Sequence, residues 1–372
     1  MTRILHVIDT TGPGGAETVF VELADRIRGH GFESLTLVNG PGWVMDSLKQ
    51  RRIETQVMPA RGSLNWRYLL GLRGLINRES IDLVQSHLLG SNIYCAAAGW
   101  LAHRPVVATF HGAVDIARDE RFRSIKVGLM NRGVREFVAV SDSLASLIKG
   151  EGISPAHPVN VIYNGVDLSR YQRSRHRRLT DEFGLRQDAI LVGSLGNVRP
   201  AKAYDVLIRA AATVCSKDPR VHFLIAGHIK DSIAAPLRAL VAELSLEQRV
   251  RFLGFREDTP GFLAGLEIFA LSSASEGFSV ATVEAQAAGL PIVATRCGGP
   301  EEIVVDGETG LLVPTGDPIA LGDAIASLIH DPILAARLGR QAREAAHARF
   351  SIDSMIHQYA NIYRRLTCHW AT

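Results

Sequence analysis

Short hydrophobic runs alternate along the whole chain with longer segments of mixed hydrophobic and polar residues. The first half contains runs at 3–9, 33–38, 81–86, 105–110, 136–141 and 159–164, and the second half contains runs at 189–196, 221–227, 249–254, 266–273 and 291–295. The runs are rich in β-branched residues and have the length of buried strands, and the segments between them are long enough for helices. This alternation predicts βαβ units and parallel sheets.

The alternation starts again after an arginine-rich stretch, "RYQRSRHRR" at 170–178, which predicts two α/β domains with a boundary at residue 173. The domains are 1–173 and 174–349. In the last segment, 350–372, hydrophobic residues follow one face of a helix, and this pattern predicts a terminal helix that crosses back to the first domain. The residues of this face are Ile352, Met355, Ile356, Tyr359, Ile362, Tyr363 and Leu366. In folds of this kind, ligands bind beyond the carboxyl ends of the strands.

The composition is that of a globular protein. The chain has 372 residues, of which 47% are hydrophobic and 21% charged, enough for two ordinary cores. Its four cysteines form no Cys-x-x-Cys pair, so we expect reduced thiols rather than a metal site. The first residues lack the pattern of a secretory signal, and no apolar run approaches the ~20 residues that span a bilayer. We therefore expect a cytoplasmic protein.

Positive charge is concentrated in the first half, where residues 1–173 contain 20 Lys and Arg against 16 Asp and Glu. The stretch 118–136 combines six of these cations with Phe122, Ile125 and neighbouring apolar residues at helical spacing. Such a helix is either a solvated surface or a peripheral contact with an anionic membrane or a phosphorylated acceptor. We expect no nucleic acid partner, because neither an aromatic stacking platform nor a zinc finger accompanies the charge.

A glycine-rich turn, "DTTGPGGAET" at 9–18, follows the first predicted strand. Glycines between a strand and a helix let the backbone approach an anion at the helix N-terminus; tight packing of the turn is the alternative. Gly12 and Gly14 resemble a dinucleotide fingerprint, but Glu17 stands where the third glycine belongs. The second strand is followed by Asn39 rather than by an acidic residue. Both departures disfavour a dehydrogenase.

Two histidines follow predicted strands of the first domain. His111, in "ATFHG" at 108–112, lies at the carboxyl edge of one strand, where it is suited to hydrogen-bond a hydroxyl or to transfer a proton. His87 follows the strand at 81–86 and gives a weaker version of the same signal. A structural role is the alternative for each of them.

Two cations follow the first strand of the second domain, in "GSLGNVRPAKAYDVLI" at 193–208. Arg199 and Lys202 flank the predicted start of a helix, an arrangement that suits a diphosphate. The stretch is not a P-loop, because Ala203 stands where that motif requires Ser or Thr. Two exposed basic residues in a turn are the alternative.

Two glutamates lie in "SEGFSVATVEAQAAGLPIVAT" at 275–295. Ser279 is a good N-cap, so Glu276 is predicted in a loop and Glu284 on the helix that follows. The N–H groups of residues 278–280 would then face an anion, between two carboxylates that accept hydrogen bonds from sugar or ribose hydroxyls. A glycosidase-like acid and base pair and two simple surface charges are the alternatives.

Taken together and in this order, the motifs resemble those of the retaining glycosyltransferases of family 4. The resemblance spans nearly the whole chain and rests on "GGAE" at 14–17, "FHG" at 110–112, "VSDSL" at 140–144, "VIYNGVD" at 161–167, the loop at 196–202, "FLGF" at 252–255, the stretch 275–295 and "GGPEEIVVDGETGLLVP" at 298–314. It implies the GT-B architecture, an α/β fold in which two Rossmann-like domains with parallel sheets face each other across a cleft.

The resemblance also implies roles for the domains and for single residues. Domain 1–173, with the returning helix, would be the acceptor side, and domain 174–349 would bind the nucleotide-sugar. His111 and Glu276 would be catalytic and address the transferred sugar, and His87 would lie on the acceptor side. The residues that would bind the donor are Gly14, Gly15, Asn197, Arg199, Lys202, Gly277, Phe278, Ser279, Val280 and Glu284.

Within this set, Glu284 would hold the ribose diol and Lys202 the diphosphate. Asn197 is a departure, since much of the family has an arginine at that place; Arg199, two residues on, is a candidate replacement for the missing charge.

The implied reaction is transfer of a sugar from a UDP- or GDP-sugar to a hydroxyl of a carbohydrate or lipid-linked acceptor, with retention at the anomeric carbon. Synthesis of cell-envelope polysaccharide or glycolipid, at the inner face of the cytoplasmic membrane, would suit such an enzyme. No Asp-x-Asp occurs in the chain, so we expect no metal and no other cofactor. A sugar-nucleotide epimerase and a catalytically silent sugar-nucleotide-binding protein are the alternatives.

Overall fold

The computed structural model describes residues 1–60, 65–116, 122–154, 157–171 and 178–368. The chain divides into two compact units. Unit 1 consists of Met1–Gly165 together with Asp353–Thr372, and unit 2 of Val166–Ile352. Each unit is built on one parallel sheet, as the alternation of hydrophobic runs predicted.

The sheet of unit 1 has seven parallel strands in the described part of the chain, in the order β3-β2-β1-β4-β5-β6-β7. The strands are β1 (Thr2–Ile8), β2 (Phe32–Val38), β3 (Glu54–Val57), β4 (Leu83–His87), β5 (Val106–Phe110), β6 (Val134–Ala139) and β7 (Val159–Val161). Because the order reverses between β1 and β4, the carboxyl ends of β1, β4 and β5 lie side by side at the point where ligands bind in such sheets.

Helices connect these strands and cover the sheet. They are α1 (Gly15–Arg26), α2 (Trp43–Gln50), α3 (Trp66–Arg78), α4 (Leu89–Ala102), α5 (Arg123–Gly133) and α6 (Asp142–Gly150), with 3₁₀ turns at Ile27–His30 and Ala113–Ile116.

The basic helix is shorter than the predicted stretch 118–136. It ends at Gly133 because the next residues form β6, and residues 117–121 lie outside the described part. Met130 is buried, whereas Phe122 and Ile125 are exposed. The apolar residues at helical spacing therefore do not all face the core.

Among the described residues of unit 2, six parallel strands form one sheet in the order β10-β9-β8-β11-β12-β13. The strands are β8 (Ile190–Leu195), β9 (Val221–Ala226), β10 (Val250–Gly254), β11 (Ile268–Leu271), β12 (Ile292–Thr295) and β13 (Leu311–Val313). Its helices are α7 (Arg178–Glu182), α8 (Tyr204–Lys217), α9 (Asp231–Glu243), α10 (Thr259–Ala264), α11 (Val280–Ala287), α12 (Pro300–Ile303), α13 (Pro318–His330) and α14 (Pro332–Arg349), with 3₁₀ turns at Leu168–Arg170 and Pro200–Lys202.

The last helix, α15 (Ile352–Cys368), returns to unit 1 as its amphipathic pattern predicted. The side chains of Tyr359 and Tyr363 are buried, and the ring of Tyr363 meets that of Phe32 edge to face with centroids 5.6 Å apart. The Tyr363 hydroxyl donates to Gln85 Oε1 over 2.9 Å. The helix is thus part of the core of unit 1.

Within the described residues, no single helix is both long and apolar enough to cross a membrane. The consecutive helices α13 and α14, bent by 103° at the break between them, reach the required length and composition only as a pair.

Candidate functional site

In unit 2, the loop between β8 and α8 carries Asn197, Arg199 and Lys202. Asn197 Oδ1 accepts a hydrogen bond from the His228 N–H over 3.1 Å, so this side chain ties the loop to the segment after β9. Arg199 is exposed, and its side chain forms no hydrogen bond or ion pair with any described residue. Its guanidinium is therefore a cation that no described residue pairs, two residues from Asn197.

Lys202 lies on the inner side of the same loop and forms an ion pair with Glu276. Its Nζ is 2.6 Å from Glu276 Oε1, which also accepts from the Ser273 hydroxyl over 2.6 Å. Burial would lower the pKa of Lys202, but the adjacent Glu276 carboxylate raises it above the usual value. The two residues predicted to address the diphosphate and the sugar are thus in direct contact.

The backbone around Glu276 and Gly277 packs closely against the segment 297–299. The Glu276 N–H donates to the Cys297 carbonyl, and the Gly299 N–H donates to the Glu276 carbonyl, both over 3.1 Å. A Cβ on Gly299 would lie 2.7 Å from Phe278 Cα and 2.8 Å from the Gly277 carbonyl oxygen. The stretches 275–295 and 298–314, two of the motifs on which the resemblance rests, therefore pack directly against each other.

The helix after this loop begins where the sequence predicted. Ser279 is the N-cap of α11, and its side chain accepts from the Thr282 N–H. The N–H groups at the first two helical positions, Val280 and Ala281, have no acceptor within the helix. Phe278 is buried and meets Phe350 edge to face, with ring centroids 5.7 Å apart. The loop and the helix start therefore form an anchored group of backbone donors next to Glu276.

Glu284 lies one turn further along α11 and is half-buried. Its Oε1 accepts from the Tyr171 hydroxyl over 2.7 Å. Burial raises the pKa of the Glu284 carboxyl to about 7, although the hydrogen bond from Tyr171 opposes the shift. One carboxylate oxygen is thus held by the protein, and Oε2 has no partner among the described residues.

In unit 1, Gly14 is the N-cap of α1 and Gly15 is the first residue of the helix. A Cβ on Gly14 would meet the carboxyl group of the buried Glu17. Asn39 has a structural role, because its amide donates to the Asp9 carbonyl and accepts from the Ala60 N–H. The Glu17 carboxyl therefore lies directly beside Gly14 at the start of α1.

His111 and His87 are paired after adjacent strands. His87 Nδ1 lies 2.9 Å from His111 Nε2, and the rings stack with centroids 5.1 Å apart. Burial lowers the pKa of His111 to about 3, and the pKa of His87 lies well below its usual value because of burial and the neighbouring His111. Both rings are therefore neutral at physiological pH.

Two further residues shape this pair. Asp115 Oδ2 accepts from the His111 N–H over 2.7 Å and from the Gly112 N–H over 3.3 Å, and burial raises the pKa of Asp115 to about 6. Leu88, directly after His87, has φ 72° and ψ 155°, a conformation that is normally reserved for glycine. Strain of this kind is typical of functional sites.

The comparison with known proteins agrees with this arrangement. A sequence model described as glycosyl transferases group 1 matches residues 177–345, and one described as glycosyltransferase family 4 matches residues 13–170. The D-inositol 3-phosphate glycosyltransferase of Corynebacterium efficiens is 31% identical over 383 residues, which cover 96% of this chain and 84% of the relative.

The chain belongs to glycosyltransferase family 4. As a member of this family it is a glycosyltransferase with the GT-B fold. The N-acetyl-alpha-D-glucosaminyl L-malate synthase of Bacillus anthracis is 28% identical over 292 residues, which cover 77% of this chain and 75% of the relative.

Solved structures resemble this glycosyltransferase over nearly its whole length. A crystal structure of the Anabaena protein HepE in complex with UDP-glucose has a TM-score of 0.89 and 26% identity, and the alignment covers 98% of this chain and all of that one.

In this glycosyltransferase, three residues that the sequence analysis did not identify form hydrogen bonds with predicted site residues. Tyr171 pairs with Glu284, Ser273 with Glu276, and Asp115 with the backbone of His111. Ser273 and Asp115 each lie within four residues of their partner, so proximity to a motif was an available signal. Tyr171 is 113 residues from Glu284, and no sequence pattern relates them.

Proposed function

We propose that this glycosyltransferase is a retaining hexosyltransferase that uses a UDP- or GDP-sugar as donor. The contact between Lys202 and Glu276, next to the start of α11, carries the proposal. Cationic and N–H donors meet there beside a carboxylate that accepts sugar hydroxyls, which is the combination that a sugar diphosphate requires. The UDP-glucose bound by the similar HepE supports a uridine nucleotide.

In this proposal, Lys202, Arg199 and the first-turn N–H groups of α11 stabilise the negative charge that grows on the leaving diphosphate. Glu284 accepts from the ribose hydroxyls, and the backbone of residues 277–280 lines the phosphates. Asn197 holds the loop in place while Arg199 supplies charge. In unit 1, Gly14 and Gly15 approach the phosphates, and His111 contacts the transferred sugar, with His87 behind it.

Retention is proposed to follow from attack on the same face that the diphosphate leaves. The bond between the anomeric carbon and the acceptor oxygen forms as the bond to the phosphate oxygen breaks, and the acceptor proton passes to the leaving diphosphate. In this proposal Glu276, whose Oε1 accepts from Lys202 and Ser273, binds sugar hydroxyls and does not form a covalent bond to the sugar. With two cations available in the loop, the proposal needs no metal and no other cofactor.

The acceptor is proposed to be a sugar or lipid-linked hydroxyl near a phosphate, in cell-envelope polysaccharide or glycolipid synthesis at the cytoplasmic face of the membrane. The Corynebacterium relative is named for a phosphorylated inositol, which supports an anionic acceptor. Exposed Phe122, the N-cap of the basic helix α5, and exposed Ile125 in its first turn support a peripheral contact with an anionic membrane.

Calorimetry with UDP, GDP, ADP and their sugars, in the presence of EDTA, tests the donor. We expect tight binding of one nucleotide by the wild type and clearly weaker binding by Glu284→Ala. The anomeric configuration of the product, read by NMR, tests retention. Equal binding by Glu284→Ala, an inverted product, or a requirement for added Mg²⁺ would each refute the corresponding part of the proposal.

Flotation with anionic vesicles tests the membrane contact. The double variant Phe122→Ser/Ile125→Ser should bind vesicles of phosphatidylglycerol less than the wild type, while nucleotide binding stays the same.

An epimerase would isomerise the donor without any acceptor, and a silent binding protein would release no nucleotide. Neither alternative is favoured, because the relatives bear the names of transferases and of a synthase.

A further inference from the structure

A buried chain of hydrogen bonds connects His111 to the terminal helix. It runs from His111 to His87, from His87 to Gln85, and from Gln85 to Tyr363 on α15. The side chains of Gln85, His87 and Tyr363 are fully buried. No water competes for these groups, so the donor and acceptor at each contact are set by the neighbouring protein atoms.

The orientation of the Gln85 amide is determined by two contacts. One end lies 3.1 Å from the Ser86 carbonyl oxygen, which can only accept, so this end must be the nitrogen Nε2. The other end, Oε1, accepts from the Tyr363 hydroxyl over 2.9 Å. The Gln85 nitrogen has two hydrogens: one is donated to Thr109 Oγ1 over 2.9 Å, and the other is shared between the Ser86 carbonyl and His87 Nε2 in a three-centre contact. The amide is therefore fixed at both ends.

This orientation determines the tautomer of His87. Gln85 Nε2 lies 3.3 Å from His87 Nε2, and an amide nitrogen is only a donor. A proton on His87 Nε2 would leave two donors facing each other, so this ring nitrogen is unprotonated. Because burial keeps the ring neutral, its one N–H proton is on Nδ1.

The tautomer of His87 in turn determines the tautomer of His111. His87 Nδ1–H points at His111 Nε2 over 2.9 Å, so that nitrogen accepts and is unprotonated. The N–H proton of neutral His111 is then on Nδ1. This atom is buried and has no hydrogen-bond partner among the described residues. A buried N–H that the protein leaves unpaired is costly, and a bound ligand is one way to satisfy it.

We propose that Gln85, His87 and Tyr363 are positioning residues that hold His111 as the Nδ1–H tautomer, so that it meets the substrate as a hydrogen-bond donor and not as a base. The inference rests on the proposed function, in which His111 contacts the transferred sugar. The group opposite Nδ1 is then an oxygen that accepts, such as a sugar hydroxyl. A neutral donor at this point assists binding of the reacting sugar without removing the acceptor proton.

The tautomer is measured directly by long-range ¹H–¹⁵N NMR of the full-length protein labelled at histidine. Resonances are assigned by their loss in His87→Asn and His111→Asn. We expect both rings of the wild type to be protonated on Nδ1. Protonation of His111 on Nε2 in the wild type overturns the proposal, and this result does not depend on any variant or on activity.

Removal of the controlling amide gives a second test. Gln85→Met keeps the side-chain volume but has no donor, so we expect His111 to show a substantial Nε2–H population. We expect kcat to fall at least about tenfold, with KM for the donor within about twofold. Thr367→Val is the matched control, because it removes a hydroxyl of the same helix that donates only to backbone carbonyls, those of Tyr363 and Arg364.

If Gln85→Met does not fold, Tyr363→Phe, which removes only the hydroxyl on Gln85 Oε1, takes its place with the same expected direction. A folded Gln85→Met that keeps the wild-type tautomer, or one that changes it without loss of kcat, overturns the proposal.

Two substitutions of His111 distinguish its role as a hydrogen-bond donor from a role as a base. Asn at 111 places an N–H near the position of Nδ1, whereas Asp, with the same shape, places only acceptors there. We expect His111→Asn to retain at least about tenfold more activity than His111→Asp. Equal loss in both variants overturns the donor role. Absence of nucleotide binding in calorimetry, with the Nδ1–H tautomer observed, would instead refute the proposed function and leave the tautomer assignment standing.

Discussion

Lys202 Nζ lies 2.6 Å from Glu276 Oε1, and their side chains are only 19% and 13% exposed. Each residue neutralises the charge of the other, so a pair that is largely withdrawn from water is tolerated. A bound diphosphate would share the Lys202 ammonium with this carboxylate. Exposed Arg199 is the cation in the same loop that no described residue neutralises.

Lys202→Met should therefore lower both stability and donor affinity. We expect the free energy of unfolding to fall by about 2 kcal/mol, because Glu276 keeps its charge without its partner. Nucleotide affinity should fall at least about tenfold. Arg199→Met is the control: it should weaken binding but change stability by less than about 0.5 kcal/mol. Urea unfolding and calorimetry measure both, and equal stability of the two variants would contradict the role of the ion pair.

Nucleotide binding should depend on pH through Glu284. Its pKa is raised to about 7 by burial, and only the ionised carboxylate offers both oxygens as acceptors to a ribose diol. We expect affinity to increase as the pH rises through about 7. Tyr171→Phe removes a hydrogen bond that lowers this pKa, so the midpoint should move upward. Calorimetry across this pH range measures the change in nucleotide affinity. Glu284→Gln is the control, because any pH dependence that remains in this variant comes from ionisation of the nucleotide. The same pH dependence in the wild type and in Glu284→Gln would refute the role of the Glu284 carboxyl.

The same shift predicts how stability depends on pH. The Glu284 carboxyl has a pKa of 4.5 when unperturbed and about 7 in the folded state, so between these values the folded protein binds more protons than the unfolded chain. Its contribution is fully present below about pH 4.5 and is lost as the pH rises through 7. Since Glu284 is only half-buried, we expect a loss of about 1–2 kcal/mol relative to Glu284→Gln, measured by urea unfolding. If the free energy of unfolding depended on pH in the same way in the wild type and in Glu284→Gln, this prediction would be wrong.

Gly299→Ala should distort the loop at Glu276. The new Cβ would lie 2.7 Å from Phe278 Cα, so backbone rather than a flexible side chain has to move. We expect a loss of about 1–3 kcal/mol in unfolding free energy and weaker nucleotide binding. Gly74→Ala is the control, since a Cβ there meets nothing within 4 Å on α3, and it should be neutral or stabilising. Urea unfolding measures the stability of the two variants, and calorimetry measures their nucleotide affinity. Equal changes in Gly299→Ala and Gly74→Ala would show that the close packing at Gly299 is unimportant.

Most strands could be predicted from the sequence because their hydrophobic runs are buried by the sheet. All eleven predicted runs form strands. The strands that the prediction missed, β3 and β13, lie at sheet edges. β3 has the polar sequence ETQV and β13 only three residues. An edge strand of this kind exists because its neighbour offers hydrogen-bonding groups, which the hydrophobic pattern does not encode.

In the candidate site, too, features set by neighbouring residues could be predicted and long-range contacts could not. The N-cap at Ser279 was predicted because helix capping depends on adjacent residues. The pairing of Tyr171 with Glu284 and that of Gln85 with Tyr363 join residues 113 and 278 positions apart. Such contacts depend on how the chain folds over long distances, and no local preference specifies them.

The return of α15 to unit 1 has a consequence for synthesis of the protein. The last strand of the unit 1 sheet ends at Val161, but the helix that covers Phe32 and Gln85 begins at Ile352. Unit 2 is in effect an insertion within unit 1. Because the ribosome makes the chain from its N-terminus, the first unit stays open until the second has been translated. During that interval the apolar surface beneath α15 is uncovered, and exposed surface of this kind is what makes unfinished chains prone to aggregate. A chain that ended before Ile352 would lack this cover permanently.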